Sequence, residues 1–151
     1  MSEHHVVVEW RRGGIAFTYE TYSRSHSWQF DGGVCVDASA SPEYRGDPAH
    51  VDPEEAFVAA ISSCHMLSFL AVASRKRWTV DRYHDHAVGR MEKNEHGKLA
   101  VTHVTLRPAV GFSGDLPSDD AVLKAHEVAH ENCFIANSVR TEIVVEPTEE
   151  P

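Results

Sequence analysis

Three cysteines are the first residues in this chain that could do chemistry: Cys35, Cys64 and Cys133. Cys64 lies within Ser62-Ser63-Cys64-His65-Met66, in the middle of a segment without charge from Ala56 to Ala73. Cys133 follows Glu131-Asn132 and precedes Phe134, between two segments that read as helical. A thiol near a helix N-terminus ionises more readily than a free one. A buried cysteine taken alone usually packs as a small hydrophobe. Cys35, flanked by Val34 and Val36 in an alternating strand, is expected to pack in this way in a sheet. An odd cysteine count does not suit a secreted disulfide framework. A reducing cytoplasm fits better, and there a cysteine pair tends to be catalytic or metal-binding.

A second grouping is His126-Glu127-Val128-Ala129-His130, which matches the H-E-x-x-H signature of zinc hydrolases. The spacing puts both imidazoles on one helical face. A third ligand is hard to find, because no histidine follows His130. Glu131, Cys133, Glu142 or Glu146 would have to serve, or a residue from upstream. The helix is short and rich in charge, which fits a solvated face better than a metal centre. His84-Asp85-His86 puts two histidines on one side of a strand, and these read as surface residues.

The elements that must position these residues follow from local patterns. Val6 to Trp10, Ile15 to Tyr22 and Ser25 to Phe30 read as strands, and Asp31-Gly32-Gly33 as a hairpin turn returning through Val34-Cys35-Val36. Ser39 to Asp52 reads as loop. Asp52-Pro53-Glu54-Glu55 starts a helix: Asp52 suits the N-cap, Pro53 the first helical position, and the glutamates complement the dipole. This helix should run to about Arg75 and be buried on most of its circumference. Trp78 to Met91 and Leu99 to Phe112 read as strands around an Asn94-Glu95-His96-Gly97 turn. Ser118 caps a second helix to about Glu131, a short helical piece covers Phe134 to Val139, and Glu142 to Glu146 closes as a strand. The order argues an α+β fold with mostly antiparallel pairing, in a single domain spanning 1–151.

Composition narrows the partners. The chain has 151 residues and a net charge of −9, with 23 acidic residues against 14 basic ones. An acidic surface repels phosphate backbones, so neither nucleic acid nor an anionic membrane is expected as a partner. The N-terminus carries no basic region followed by a long apolar run, and no signal peptide is expected.

The string Val51-Asp52-Pro53-Glu54-Glu55-Ala56-Phe57-Val58-Ala59-Ala60-Ile61-Ser62-Ser63-Cys64-His65-Met66 resembles the N-P-E-x-x-x-A-A-x-x-x-C helix of the OsmC/Ohr family. Ala129-His130-Glu131-Asn132-Cys133-Phe134-Ile135-Ala136-Asn137-Ser138 resembles its second cysteine motif. Phe134 stands where the family often has proline, and Asp52 where it has asparagine, which marks a side branch. The resemblance implies antiparallel sheets packed around long central helices in an intertwined homodimer. It also implies a peroxidase. Cys64 would attack a hydroperoxide and become a sulfenic acid, and Cys133 would resolve it as a disulfide. The substrate would be an organic hydroperoxide, with hydrogen peroxide as an alternative. An external dithiol, such as a lipoylated protein, would restore the pair without metal or organic cofactor.

The family uses an arginine to stabilise the thiolate and a glutamate to hold the arginine. Glu54 matches the glutamate. Arg24 is the first choice for the arginine and Arg45, in Tyr44-Arg45-Gly46, the second. Cys64 is mid-helix, so no helix N-terminus helps it ionise and a cation is expected to do so. Glu54 lies ten residues before it, roughly 15 Å along a helix, so the arginine would lie alongside. The rival readings are a zinc hydrolase on His126 and His130, and a non-catalytic redox-sensing or small-molecule-binding dimer on the same fold.

Overall fold

The computed structural model describes residues 1–149. The chain forms two compact units, Met1–Ala56 and a second that begins at Phe57.

The first unit is a three-stranded antiparallel sheet in the order β1 (Val6–Glu9), β2 (His26–Phe30), β3 (Cys35–Ala38). The expected hairpin closes between β2 and β3, with Gly33 at a φ of 82° that favours glycine. Its N–H donates to the Phe30 carbonyl at 2.9 Å. Residues 15–22 form no strand. The N–H groups of Thr21 and Tyr22 both donate to the Thr18 carbonyl, and the Thr21 hydroxyl donates to Ala16 O at 2.5 Å. Threonine side chains compete here for the backbone groups that a ladder would need. The alternating aromatics build a ring cluster instead: Phe17 lies 5.8 Å from Trp10 and 5.3 Å from Tyr22, between centroids. Cys35 is exposed rather than packed in the sheet.

Helix α1 spans Pro53–Arg75 as its start signals require. Asp52 Oδ1 accepts from the Glu55 N–H at 2.8 Å, and Glu55 Oε2 accepts from the Asp52 N–H at 3.2 Å, a reciprocal cap. At the far end Arg77 adopts φ 62°, and Trp78 N–H donates to Ala73 O. The helix is long and apolar enough to cross a bilayer by length and composition. In this chain it is buried along one stripe rather than most of its circumference. Ile61, His65, Phe69, Val72 and Ala73 form that stripe, while Leu67 is 61% exposed.

In the second unit the two long expected strands each divide in two. β4 (Thr79–Asp85) pairs with β7 (Pro108–Ser113), and β5 (Val88–Lys93) pairs with β6 (Leu99–Leu106), both antiparallel. The division has a local cause. Pro108 has no N–H to give a ladder. The Arg107 N–H donates to Asp85 Oδ1 at 2.6 Å, and the other oxygen of Asp85 takes the Ser62 hydroxyl of α1 at 2.5 Å. β8 (Glu142–Val145) joins β6 in parallel, against the antiparallel pattern of the other pairs of named strands among the described residues.

Helix α2 spans Asp119–Glu131, with Ser118 Oγ accepting from Ala121 N–H. Ala125 and Ala129 of α2 pack with Phe69, Val72 and Ala73 of α1. A second cluster joins Ile61 to Val104 and Leu106, with Phe57, Val58 and Ile135 against it. Gly89 of β5 allows α1 its close approach, since a Cβ there would meet Val58 Cγ2 at 2.5 Å.

Candidate functional site

Cys64 projects from the middle of α1, half-buried, and Cys133 lies just past the C-terminus of α2, 1% exposed. The second unit brings them together: both are free thiols, and the successive amides of Ile135 and Ala136 reach one sulfur each. Ile61, one turn before Cys64, sits at the centre of a core cluster, which fixes the rotation of the helix at the thiol.

The turn after α2 is braced from within. Cys133 N–H donates to His130 O, Asn137 N–H to Cys133 O, and the Ser138 hydroxyl to Phe134 O at 2.7 Å. Asn137 Nδ2 donates to Glu131 O at 3.0 Å. A short 3-10 turn, Ala136–Ser138, ends this stretch. Two successive backbone amides then face the sulfurs. Ile135 N–H donates to Cys64 Sγ at 3.5 Å, and Ala136 N–H to Cys133 Sγ at 3.4 Å. Burial pushes the Cys133 thiol up, and the neighbouring Cys64 adds to the rise; the two backbone amides of Ala136 and Ile135 pull the other way. Ionisation of Cys133 is therefore disfavoured beside Cys64.

Behind the thiols lies a pair of imidazoles that sequence reasoning placed elsewhere. His126 is 3% exposed, not part of a solvated face. His65 Nε2 and His126 Nδ1 are 3.0 Å apart, the rings stack within 7° of parallel, and His126 also stacks on Phe69 with centroids 4.2 Å apart. Burial pushes both rings down to about 4. For His65 the nearby His130 adds to the fall and Asp85 opposes it; for His126, His65 adds to the fall. Of the H-E-x-x-H pair, His126 thus spends Nδ1 on another histidine. No group of three or more His, Cys, Asp or Glu suited to a metal ion occurs among the described residues. His84 and His86 are exposed.

The other expected site residues belong to the first unit. Arg24 is half-buried, its guanidinium 3.7 Å over the Tyr22 ring and 4.9 Å over Tyr19. It donates to Tyr22 O at 2.5 Å and Tyr19 O at 2.6 Å. Arg45, in the left-handed region at φ 64°, reaches the same Tyr19 ring at 5.8 Å. Glu54 is half-buried in the first turn of α1.

Residues 46–148 match the OsmC-like protein family. The chain belongs to that family. Among solved structures, an OsmC-like protein of unknown function from Vibrio cholerae is 54% identical to it. The two superpose with a TM-score of 0.95 over 98% of this chain and all of the other. An organic hydroperoxide resistance protein from Elizabethkingia anophelis shares the fold at 16% identity and a TM-score of 0.75, over 99% of this chain and 98% of that one. The organic hydroperoxide resistance protein OhrB of Bacillus subtilis does so at 19% identity and 0.69, over 97% and 98%. No match was found among curated proteins. The OsmC-like family thus accounts for the α+β architecture, with antiparallel sheets alongside two helices.

Two contributors escaped the sequence reading. The Ile135 amide is a backbone group and leaves no trace in residue type. His65 follows Cys64 directly, but only the spacing to Ile61 and Phe69, on the same helical stripe, signals that it points inward.

Proposed function

We propose that this OsmC-like protein is a thiol peroxidase that reduces organic hydroperoxides to alcohols. The observation that carries the proposal is the pair of neighbouring free thiols, Cys64 on the middle of α1 and Cys133 in the braced turn after α2, met by the successive amides of Ile135 and Ala136. The Cys64 thiolate attacks the outer peroxide oxygen, and the O–O bond breaks. The departing alkoxide takes a proton and leaves as the alcohol, and Cys64 becomes a sulfenic acid. The Cys133 thiol then attacks the Cys64 sulfur, a disulfide forms, and the hydroxyl leaves as water. An external dithiol, such as a lipoylated protein, reduces the disulfide and is itself oxidised. Arg24 is the residue proposed to stabilise the thiolate and Glu54 the one to hold it, with Arg45 as the alternative cation.

The protein is proposed to work in a reducing cytoplasm, as one functional domain in a homodimer. Apolar surface supports the dimer: Val6, Val7, Val8 and Phe17 are exposed, and so is Leu67 on α1. The proposal is tested by following cumene hydroperoxide consumption with dihydrolipoate as reductant, with and without a chelator. Turnover that survives chelation is the expected result. A disulfide formed without turnover would favour the redox-sensing reading, and turnover lost to chelator and restored by zinc would favour a metal enzyme.

A further inference from the structure

The mid-helix position of Cys64 denies it the N-terminal dipole of its own helix, yet it is not left without a neutral donor. Ile135 N–H points at Cys64 Sγ from 3.5 Å. We propose that this backbone amide is a catalytic group of the site, a fixed donor that stabilises the ionised Cys64 sulfur in the ground state and in the attack on peroxide. The proposal rests on Cys64 being the reactive thiol.

Three observations carry it. The amide is held by structure rather than by chance. The Ile135 side chain packs on the cluster of Ile61, Val104 and Leu106, and Ile61 belongs to the helix that carries Cys64. One apolar cluster therefore sets both the donor and the acceptor. The carbonyl of the same residue accepts from Ser138 N–H at 3.0 Å, which fixes the plane of the following peptide. Successive amides of one turn also face the sulfurs: Ala136 N–H, the next along the chain, donates to Cys133 Sγ at 3.4 Å, which leaves Ile135 N–H directed at Cys64 Sγ while it also bears on Cys133. Finally, burial and the neighbouring Cys64 push the Cys133 thiol up, which disfavours a second negative charge beside Cys64. A donor aimed in advance at developing or resident charge needs no reorganisation when the reaction occurs. It is also independent of any arginine.

Such a donor cannot be removed by truncating a side chain, but proline removes it. Ile135 has φ −70°, which proline adopts without strain. Ile135→Pro therefore deletes the N–H. The expected result is that Ile135→Pro slows iodoacetamide alkylation of Cys64 about tenfold at neutral pH, equivalent to about 1.4 kcal/mol.

Because Ile135→Pro can also disturb packing, the unmodified backbone supplies the deciding measurement. In the reduced protein the ¹⁵N–¹H resonance of Ile135 should move with pH along the same curve as Cys64 alkylation. It should still do so in Cys133→Ser and stay flat in Cys64→Ser. An Ile135 amide that does not follow Cys64 ionisation in the reduced protein overturns the proposal, as does an unchanged alkylation rate in folded Ile135→Pro. These readouts require no peroxide. Should they succeed while cumene hydroperoxide is not consumed, the peroxidase reading falls and the donor stands.

Discussion

His65 on α1 and His126 on α2 share a hydrogen bond between Nε2 and Nδ1 at 3.0 Å, with neither ring open to solvent. The contact ties the helix of Cys64 to the helix that leads into Cys133. One proton occupies the bridge. Among the described residues, the outer nitrogens, His65 Nδ1 and His126 Nε2, have no hydrogen-bond partner. A charge there would be poorly solvated, with His130 repelling it and Asp85 offering partial compensation at His65.

The pair makes stability depend on acid. Both rings ionise near 4 in the folded chain, against an ordinary 6.5. As pH falls below about 6.5 the unfolded chain takes up protons that the folded one refuses. Stability is therefore full above that pH and declines as pH falls toward 4, by roughly 3 kcal/mol for each ring at most. Thermal unfolding midpoints measured from pH 7.5 to 4 should drop. The double variant His65→Gln with His126→Gln should show a shallower drop, whatever its midpoint at pH 7.5.

The thiol roles separate by substitution. Cys64→Ser should lose peroxide reduction, including the first turnover. Cys133→Ser should reduce about one equivalent and then stall with a sulfenic acid at Cys64, which dimedone would trap. In the wild-type chain, peptide mapping after one equivalent of peroxide should find Cys64 linked to Cys133. A bridge to the exposed Cys35 would move the reaction to the first unit.

Arg24 and Arg45 meet the same ring, Tyr19, so a local change at one can be felt at the other. Arg24→Ala should slow single-turnover peroxide attack by tenfold or more at neutral pH, and Arg24→Lys should recover only part, since the planar fork is lost. Arg45→Ala should be mild. The reverse order of severity would transfer the role to Arg45.

Asp85 is the acceptor for two elements, the Ser62 hydroxyl and the Arg107 amide. Asp85→Ala should cost about 2–4 kcal/mol, because the half-buried Arg107 amide loses its acceptor as well as a charged hydrogen bond. Ser62→Ala should cost less than half of that, since Arg107 keeps its partner. Urea unfolding of the two variants measures the difference.

Local signals made the helices readable. Asp52, Pro53 and Ser118 are start signals with a physical cause, and the structure uses each of them. The strand break at Arg107 was only half readable: Pro108 is a local signal, but Asp85, over twenty residues away, accepting the Arg107 amide in place of a strand partner is not. The alternation of Ile15 to Tyr22 misled for a related reason: period two describes rings that must face one another as well as it describes a ladder. The two cysteines were found by motif, whereas the company they keep was not. His126 read as solvent-facing because its neighbours Glu127 and Lys124 are charged, yet it lies on the opposite face, with Ala125 and Ala129. A backbone donor such as Ile135 N–H is invisible to any reading by residue type.

Helix α1 is anchored twice, at Ile61 in one cluster and at Phe69, Val72 and Ala73 in the other, with Cys64 between the anchors. A rod clamped on both sides of its midpoint moves least there. Amide exchange along α1 should therefore be slowest around residues 62–69 and faster toward both ends, and the nucleophile would ride on the last part of the helix to open. Weakening either clamp, by Ile61→Val or Phe69→Leu, should loosen the sulfur's position before it lowers the helix content. Such variants would lose reaction rate at temperatures where circular dichroism still reports an intact fold.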